Sequence, residues 1–446
     1  MDKRMDGIKI IKEMLGIQGV NIKDLKVFRK TFEMQIVVEQ ETQERVCKEC
    51  GKRLTGIHDW QVKRIEAPPL GIFTKVEIEL AYARGYCKKC DKICSPKISW
   101  LHPEVSSMTC GFAEIAGRVM EEASCEATGR LLRTNPRKLW NLDQYRMEVM
   151  LQRMKLPENI DLKELSADEI HFKTIHRKLE KNKIIKDFEV MFVTNLVSYN
   201  DSKVIFNSMG RGAESLQNCL AGLSKEEKGK IKRVCVDIHE PYMSAIRRDL
   251  PNARICVDRF HLVQQMNWCF DEVRKAELNY AKERADQFTE TMLLPSRRFA
   301  LIEKKKDLTK GEIKMIDKLR QMNQNIHTGM LVVEYFHKLL DKHDLESFRT
   351  SLKNWYLLVR QSALKPFLKF SKTIRRYRCY IEEYITSGLP SAVSEGLNNK
   401  IKTLKRMAYG YANPFSFRLK ILQRCGYLNH YHINTDDLLY NVPYHR

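Results

Sequence analysis

The residues best suited to chemistry in this chain are two pairs of cysteines and a few acids set in apolar or basic surroundings. "VCKECG" places Cys47 and Cys50 in one Cys-x-x-Cys knuckle, and "YCKKCD" does the same for Cys87 and Cys90. Two such knuckles offer four thiolates, the tetrahedral set of a structural zinc ion, and the glycine after the first suits a tight turn. The segment between them reads as strands that bring the knuckles together, as in a zinc ribbon. One Zn²⁺ is therefore expected; redox-active or merely buried cysteines are the competing reading, and Cys94 is read as a free thiol.

Asp168 lies within the strand-like run "LSADEIHF", Asp237 closes "VCVDI" and Asp258 closes "ICVDRF". A carboxylate at the end of a buried strand needs a partner, because desolvating it alone is costly, and a divalent cation is such a partner. Glu395 heads the helical stretch "SEGLNNKIKTLKRM". At 3.6 residues per turn Glu395, Asn399, Lys402 and Arg406 share one stripe, with Leu397, Ile401, Leu404 and Ala408 on the other. The acid thus faces away from the apolar seam, free to complete a metal site, while Lys402 and Arg406 are left for phosphates. Carboxylates holding two Mg²⁺ ions, or Mn²⁺ in their place, are the usual device for phosphodiester chemistry.

Positioning these groups requires several kinds of element. The first hundred residues alternate strand-like runs with Gly/Pro punctuation, and the pattern turns helical from Cys110 to about Lys155. Asn135 and Pro136 suit the N-cap and first position of a helix that carries Arg137, Lys138 and Trp140 at its start, so a helix-turn-helix is expected here. A second strand-rich block from Leu165 runs β-β-β-α-β-α-β, the pattern of a mixed sheet flanked by helices. From Leu262 to Ser387 only helical periodicity remains. Within it Trp355, and Arg375, Arg376 and Arg378 beside Tyr377 and Tyr380, combine charge for phosphates with rings for unstacked bases.

The bulk numbers favour the same partner. Lys and Arg number 78 against 56 Asp and Glu in 446 residues, a formal charge of +22 spread along the chain, which points to nucleic acid. No apolar run reaches the length of a membrane span, and the N-terminus mixes acids and bases where a signal peptide would be apolar. The 13 cysteines are odd in number and several sit singly in apolar runs, the pattern of a reducing, cytoplasmic compartment.

The order of two knuckles, helix-turn-helix, "ADEIHF", "VCVDIHEPYMSAIRRDLPNARICVDRFHLVQQMN" and "SEGLNNKIKTLKRMAYGY" resembles the ISL-three family of insertion-sequence transposases, of the DDE group. The resemblance spans nearly the whole chain. It implies a multidomain α/β protein whose catalytic domain is ribonuclease-H-like, interrupted by an all-helical insertion and preceded by a zinc ribbon and a helix-turn-helix. The implied division is 1–105 (strands and zinc ribbon), 106–160 (helix-turn-helix), 161–268 (catalytic domain, first part), 269–388 (helical insertion) and 389–446 (catalytic domain, last part). Asp168, Asp237 and Glu395 become the first, second and third acids. Asp258 is the rival second acid; with Arg259 and His261 it otherwise supports the site. The implied activity is cleavage and strand transfer of double-stranded DNA at an element's terminal inverted repeats, with a homodimer as the plausible assembly. A DNA-binding regulator that lost catalysis, or a nuclease that cuts without joining, are the alternatives.

Overall fold

The computed structural model describes residues 7–41, 45–177, 187–297, 301, 309–389, 392–408, 411 and 413–430. It divides the chain into two compact units, Met1–Pro157 with Leu404–Arg446, and Glu158–Thr403. Among the described residues no helix is long and apolar enough to cross a membrane.

The first unit opens with helix α1 (Gly7–Leu15) and strands β1 (Val20–Phe28), β2 (Glu33–Gln40), β3 (Thr55–Ala67), β4 (Lys75–Cys87) and β5 (Lys92–Cys94). They form one sheet in the order β1-β2-β4-β3, with β5 paired to β4. Alternation sets the buried face: Met34, Ile36 and Val38 of β2 point inward with Ile78 and Leu80 of β4, against Leu15 and Trp100. Helices α2 (Cys110–Glu122), α3 (Cys125–Leu132) and α4 (Pro136–Arg153) follow. Each starts on a side-chain cap, Thr109, Ser124 and Asn135 respectively, and Pro136 occupies the first turn of α4 as expected. Between α3 and α4 the backbones approach so closely that a Cβ on Gly129 would meet Pro136 Cγ and the Thr134 carbonyl at 2.9 Å.

The second unit begins with β6 (Glu164–Arg177), β7 (Asp187–Ser198), β8 (Lys203–Met209), α5 (Ala213–Ala221), α6 (Lys225–Lys230), β9 (Arg233–Val236), α7 (Glu240–Asp249) and β10 (Arg254–Val257). This is the β-β-β-α-β-α-β order read from the sequence, except that two helices, α5 and α6, stand where one was expected. The sheet order is β10-β9-β6-β7-β8; β6, β9 and β10 run parallel, and β7 is antiparallel to both of its neighbours. A helical stretch follows: α8 (Arg259–Glu283), α9 (Gln287–Met292), α10 (Lys310–Met322), α11 (Gln324–Leu340), α12 (Leu345–Ser362), α13 (Lys365–Arg376) and α14 (Arg378–Ser387). It starts earlier than the expected boundary at 269, because Asp258 caps α8 directly at the end of β10. Then comes α15 (Ala392–Met407), which carries Glu395.

The expected last part of the catalytic domain needs a correction. Contacts keep residues to Thr403 with the acids but assign Leu404 onward to the first unit. The physical reason lies in α16 (Pro414–Cys425): Lys420 Nζ donates to Asp143 Oδ2 of α4 at 2.7 Å and Ser416 to Gln144 at 2.8 Å, while Phe417, Leu419 and Leu422 are buried. Residues 431–446 of that expected segment lie outside the described residues.

Candidate active site

Strand register brings the aspartates together. Ala167 of β6 is level with Val236 of β9, and Val236 with Val257 of β10, so the next residues sit side by side: Asp168 within β6, and Asp237 and Asp258 directly after the ends of β9 and β10. Level residues of paired strands project to the same side. Two positions before the acids, Ser166, Cys235 and Cys256 mark that side, and Cys235 and Cys256 pack against Tyr384 of α14 and Val393 of α15. The acids therefore face the side of the sheet that α14 and α15 cover. Glu169 faces the other way with its neighbour Thr194, whose hydroxyl bonds Ser215 of α5 and Tyr242 of α7.

His261, in the first turn of α8, joins two of the acids. Its Nε2 lies 3.8 Å from Asp168 Oδ1 and its Nδ1 lies 3.5 Å from Asp237 Oδ2. Burial works against a charged imidazole, but Asp168 and Asp237 outweigh it and raise the His261 pKa to about 9. Burial likewise opposes ionisation of Asp168, yet His261 and Asn398 hold that carboxyl below its ordinary range. Asn398 Nδ2 donates to Asp168 Oδ2 at 2.5 Å. Asp258 behaves differently. It is 9% exposed, accepts from Phe260 N at 2.8 Å as the cap of α8, and burial followed by the neighbouring acids pushes it up to about 6. Arg259 turns away to Asp341, at 2.5 Å.

Glu395 is exposed in the first turn of α15, three residues before Asn398. The expected stripes hold on this helix: Leu397, Ile401 and Leu404 are buried, and Glu395, Asn399, Lys402 and Arg406 are exposed. Among the described residues, Glu395 is not gathered with the two aspartates to within 4.8 Å; the groups that meet that spacing are the cysteines, one of them with Glu49. The donor set nevertheless fits a divalent cation. Two carboxylates on one face share a single imidazolium, so positive charge is already drawn to the place between them.

The cysteine module is compact. Sulfurs of Cys47, Cys50, Cys87 and Cys90 lie within 4.8 Å of one another, with Cys50–Cys87 at 3.4 Å and Cys47–Cys90 at 4.0 Å. Tetrahedral zinc with sulfur ligands at ~2.3 Å needs sulfurs about 3.8 Å apart, so the cluster fits that ion. Gly51 and Asp91, each directly after a knuckle, both take positive φ (73° and 53°), so the two turns close alike. Burial opposes it, but the backbone N–H groups of Cys50 and Glu49 lower Cys47 to about 6, toward the thiolate a metal requires. Cys94 is buried beside the cluster.

Of the residues expected to touch DNA, Arg137 is exposed at the start of α4, and Lys138 donates to Glu66 at 2.9 Å. Arg375, Arg376 and Arg378 are exposed; the first two lie over the rings of Tyr356 and Tyr377, and Arg378 donates to Glu382. Trp355 corrects the sequence reading. It is fully buried, packs on Phe336 and Phe370 and donates its indole N–H to the Val332 carbonyl at 3.1 Å, so it is core and offers no ring to a base. Sequence reasoning missed Asn398 and the half-buried Glu169, which pairs with Arg211. An asparagine inside a helix, where its type is unfavourable, was the available signal for the first; nothing in the sequence marks Arg211.

Comparison with known proteins gives the class. The family model DDE_Tnp_ISL3, described as a transposase, matches residues 165–421, which take in all four acids. The chain belongs to the ISL3 family of DDE transposases, and it is a DNA transposase. It is 22% identical over 415 residues to the transposase for insertion sequence element IS1001 of Bordetella parapertussis, covering 93% of this chain and 97% of that one. It is also 22% identical to the transposase for IS1557 of Mycobacterium tuberculosis, over 57% of this chain and 58% of that one. Among solved structures it is similar to the Drosophila P element transposase strand transfer complex, at TM-score 0.39 and 10% identity, covering 72% of this chain and 93% of that one. Membership of a DDE family implies use of a divalent metal, and DNA is the partner.

Proposed function

We propose that the second unit is a ribonuclease-H-like catalytic domain that cuts DNA at the ends of an insertion sequence and joins them to a target, with Asp168, Asp237 and Glu395 as its three acids. The fold reading is supported by three antiparallel strands followed by two parallel ones on the far side of the first. The observation that carries the site reading is the pairing of Asp168 and Asp237 through His261 on the face covered by α15. Asp237 is preferred to Asp258 because His261 engages it directly, whereas Asp258 is used as a helix cap.

Two Mg²⁺ ions, when bound, would help ionise the attacking oxygen and stabilise the leaving one. Asp168 and Asp237 would hold them, and Glu395 would complete the set from the exposed side of α15. Asn398 keeps Asp168 oriented and ionised, and the site performs two in-line displacements. In the first, a water oxygen bonds to phosphorus and the bond to the element's 3′-oxygen breaks, leaving a 3′-hydroxyl. In the second, that hydroxyl bonds to a target phosphorus and the target's own 3′-oxygen departs. Zn²⁺ in the cysteine cluster would order the two knuckles, and the helix triplet α2–α4 is the unit we assign to reading terminal repeats. Pairing of two ends is best served by a homodimer, and the reducing cytoplasm suits thirteen cysteines that form no disulfide among the described residues.

The test is cleavage of DNA carrying the element's ends with Mg²⁺ by Asp168→Asn, Asp237→Asn and Glu395→Gln variants. Each should lose at least ~100-fold in rate, as expected when a group acting in the transition state is removed, and keep its DNA affinity. Full cleavage by Glu395→Gln would remove that residue from the active site.

A further inference from the structure

Glu169 directly follows Asp168 on β6 and faces the other side of the sheet, where it pairs with Arg211 of the turn between β8 and α5. The pair is lopsided. The side chain of Glu169 is 10% exposed and that of Arg211 is 45% exposed, and the closest approach is through Arg211 Nε. A contact made there leaves the terminal N–H groups, which match a pair of phosphate oxygens, for another partner. Among the described residues Glu169 is the only carboxylate paired with this guanidinium. The turn that carries it is fixed. Gly210 N donates to the Phe192 carbonyl at 2.8 Å, the Gly210 carbonyl accepts from Thr194 Oγ1 at 2.9 Å, and the guanidinium lies over the Phe192 ring, 5.2 Å from its centroid. Gly210 has φ 108°, a conformation that suits glycine alone. An arginine held in this way loses little further freedom when it binds an anion.

We propose that Arg211 binds a backbone phosphate of the DNA strand being cut, a few nucleotides from the bond attacked, and that Glu169 is the positioning residue that holds the guanidinium there. The proposal rests on the reading of Asp168 and Asp237 as catalytic acids. β9 stops at Val236, level with Ala167, so on that edge β6 has no strand beside it at Glu169 and the two faces of the sheet meet. Neighbouring Cα atoms are about 3.8 Å apart, and a DNA strand carries a phosphate about every 3.4 Å of its axis. A strand attacked at Asp168 therefore has other phosphates within reach of Arg211. Charge balance favours such a contact. Asp168, Asp237, Asp258 and Glu169 bring four carboxylates to this part of the sheet, against His261 and Arg211, so a polyanion needs a fixed cation at its edge.

The test is the salt dependence of binding. Affinity of the full chain for a duplex carrying the element's end is measured over a series of KCl concentrations, with Ca²⁺ held constant in place of Mg²⁺. Each phosphate contact contributes about 0.9 to the slope of log affinity against log salt. Arg211→Ala should weaken binding and flatten that slope by about 0.9, so its deficit in affinity shrinks roughly 3.5-fold between about 50 and 200 mM salt. Arg211→Lys, which restores the charge, should restore the slope. Glu169→Gln keeps the guanidinium but loosens it, and should weaken binding with the slope retained. An unchanged slope in Arg211→Ala would overturn the proposal and leave Arg211 as the counter-ion of Glu169 alone. If Arg211→Ala does not fold because a half-buried carboxylate is stranded, Arg211→Gln/Glu169→Gln removes both charges and decides by the same slope. Full cleavage by Asp168→Asn and Asp237→Asn, with the slope still flattened by Arg211→Ala, would remove the acids and leave the phosphate site standing.

Discussion

Replacing Trp355 by alanine separates two roles that an aromatic residue in a basic helix can have. The side chain is fully buried, its ring centroid lies 5.1 Å from Phe336 and 6.4 Å from Phe370, and its N–H serves the Val332 carbonyl. Truncating a buried tryptophan costs roughly 3–5 kcal/mol, because the transfer energy of the ring is lost and the cavity collapses only in part. Against a typical domain stability of about 5–15 kcal/mol, that is a large fraction. Trp355→Phe keeps most of the ring and loses the hydrogen bond, so about 1–2 kcal/mol is expected. Urea unfolding followed by far-UV circular dichroism reads both variants, with any early transition assigned to the helical stretch α8–α14 by hydrogen exchange of its amides. DNA affinity of the folded fraction should be unchanged. A Trp355→Ala protein that unfolds at the same urea concentration as the parent but binds DNA many-fold more weakly would refute the core assignment and restore Trp355 to the DNA surface.

Asn398→Ala removes the donor on Asp168 Oδ2. Outer groups that orient metal ligands are worth about 10–100-fold in metal affinity, so Mn²⁺ titration should show a loss of that order, and an unchanged affinity would remove Asn398 from the site. The purified chain should carry a single zinc equivalent, released by chelation or by Cys87→Ser with loss of binding to element ends; a zinc-free chain with full end binding would refute the cysteine assignment. Glu382 of α14 is held by both Arg349 and Arg378, Arg349 contributing most, and its pKa is lowered to about 2. A depressed folded-state pKa adds stability above the unfolded value near ~4.3 that is lost as pH falls through about 2. The melting temperature of Glu382→Gln should therefore lie a few degrees below the parent's at pH 6 and converge with it toward pH 2; a gap independent of pH would contradict this.

Much of this arrangement is legible in the sequence wherever one residue's neighbours in the chain also determine its environment. Cys47 and Cys50, or Cys87 and Cys90, are close because their turns are short, and Gly51 advertises one such turn. Asp168, Asp237 and Asp258 each end or interrupt an apolar run, and that local conflict between a charge and a buried strand marks them before any register is known. What the local pattern lacks is the register that sets Ala167 level with Val236, and hence the imidazole that joins two acids distant in numbering. Trp355 was misread for the opposite reason. Its flanking Lys353 and Arg360 describe the outer face of α12, while the tryptophan points to the inner one, along with Phe348, Leu352 and Val359. At helical spacing Phe348, Leu352, Trp355 and Val359 form an i, i+4, i+7, i+11 seam, a core signal outweighed in the reading of Trp355 as a DNA contact by its charged neighbours.

The same distinction bears on Glu395. Its helix buries Leu397, Ile401 and Leu404 in one seam, which fixes the rotation of α15 about its own axis, and Asn398, on the edge of that seam, touches Asp168. Glu395 is one turn before Asn398 on the same side, since residues three apart are neighbours on a helix surface. Asn398 reaches Asp168, while the Glu395 side chain lies in solvent. As the proposed third acid, its carboxylate would add a negative charge to a place where two carboxylates already outnumber one imidazolium. Repulsion between these carboxylates agrees with the exposed position of Glu395, and divalent cations held by the two aspartates would attract its carboxylate instead.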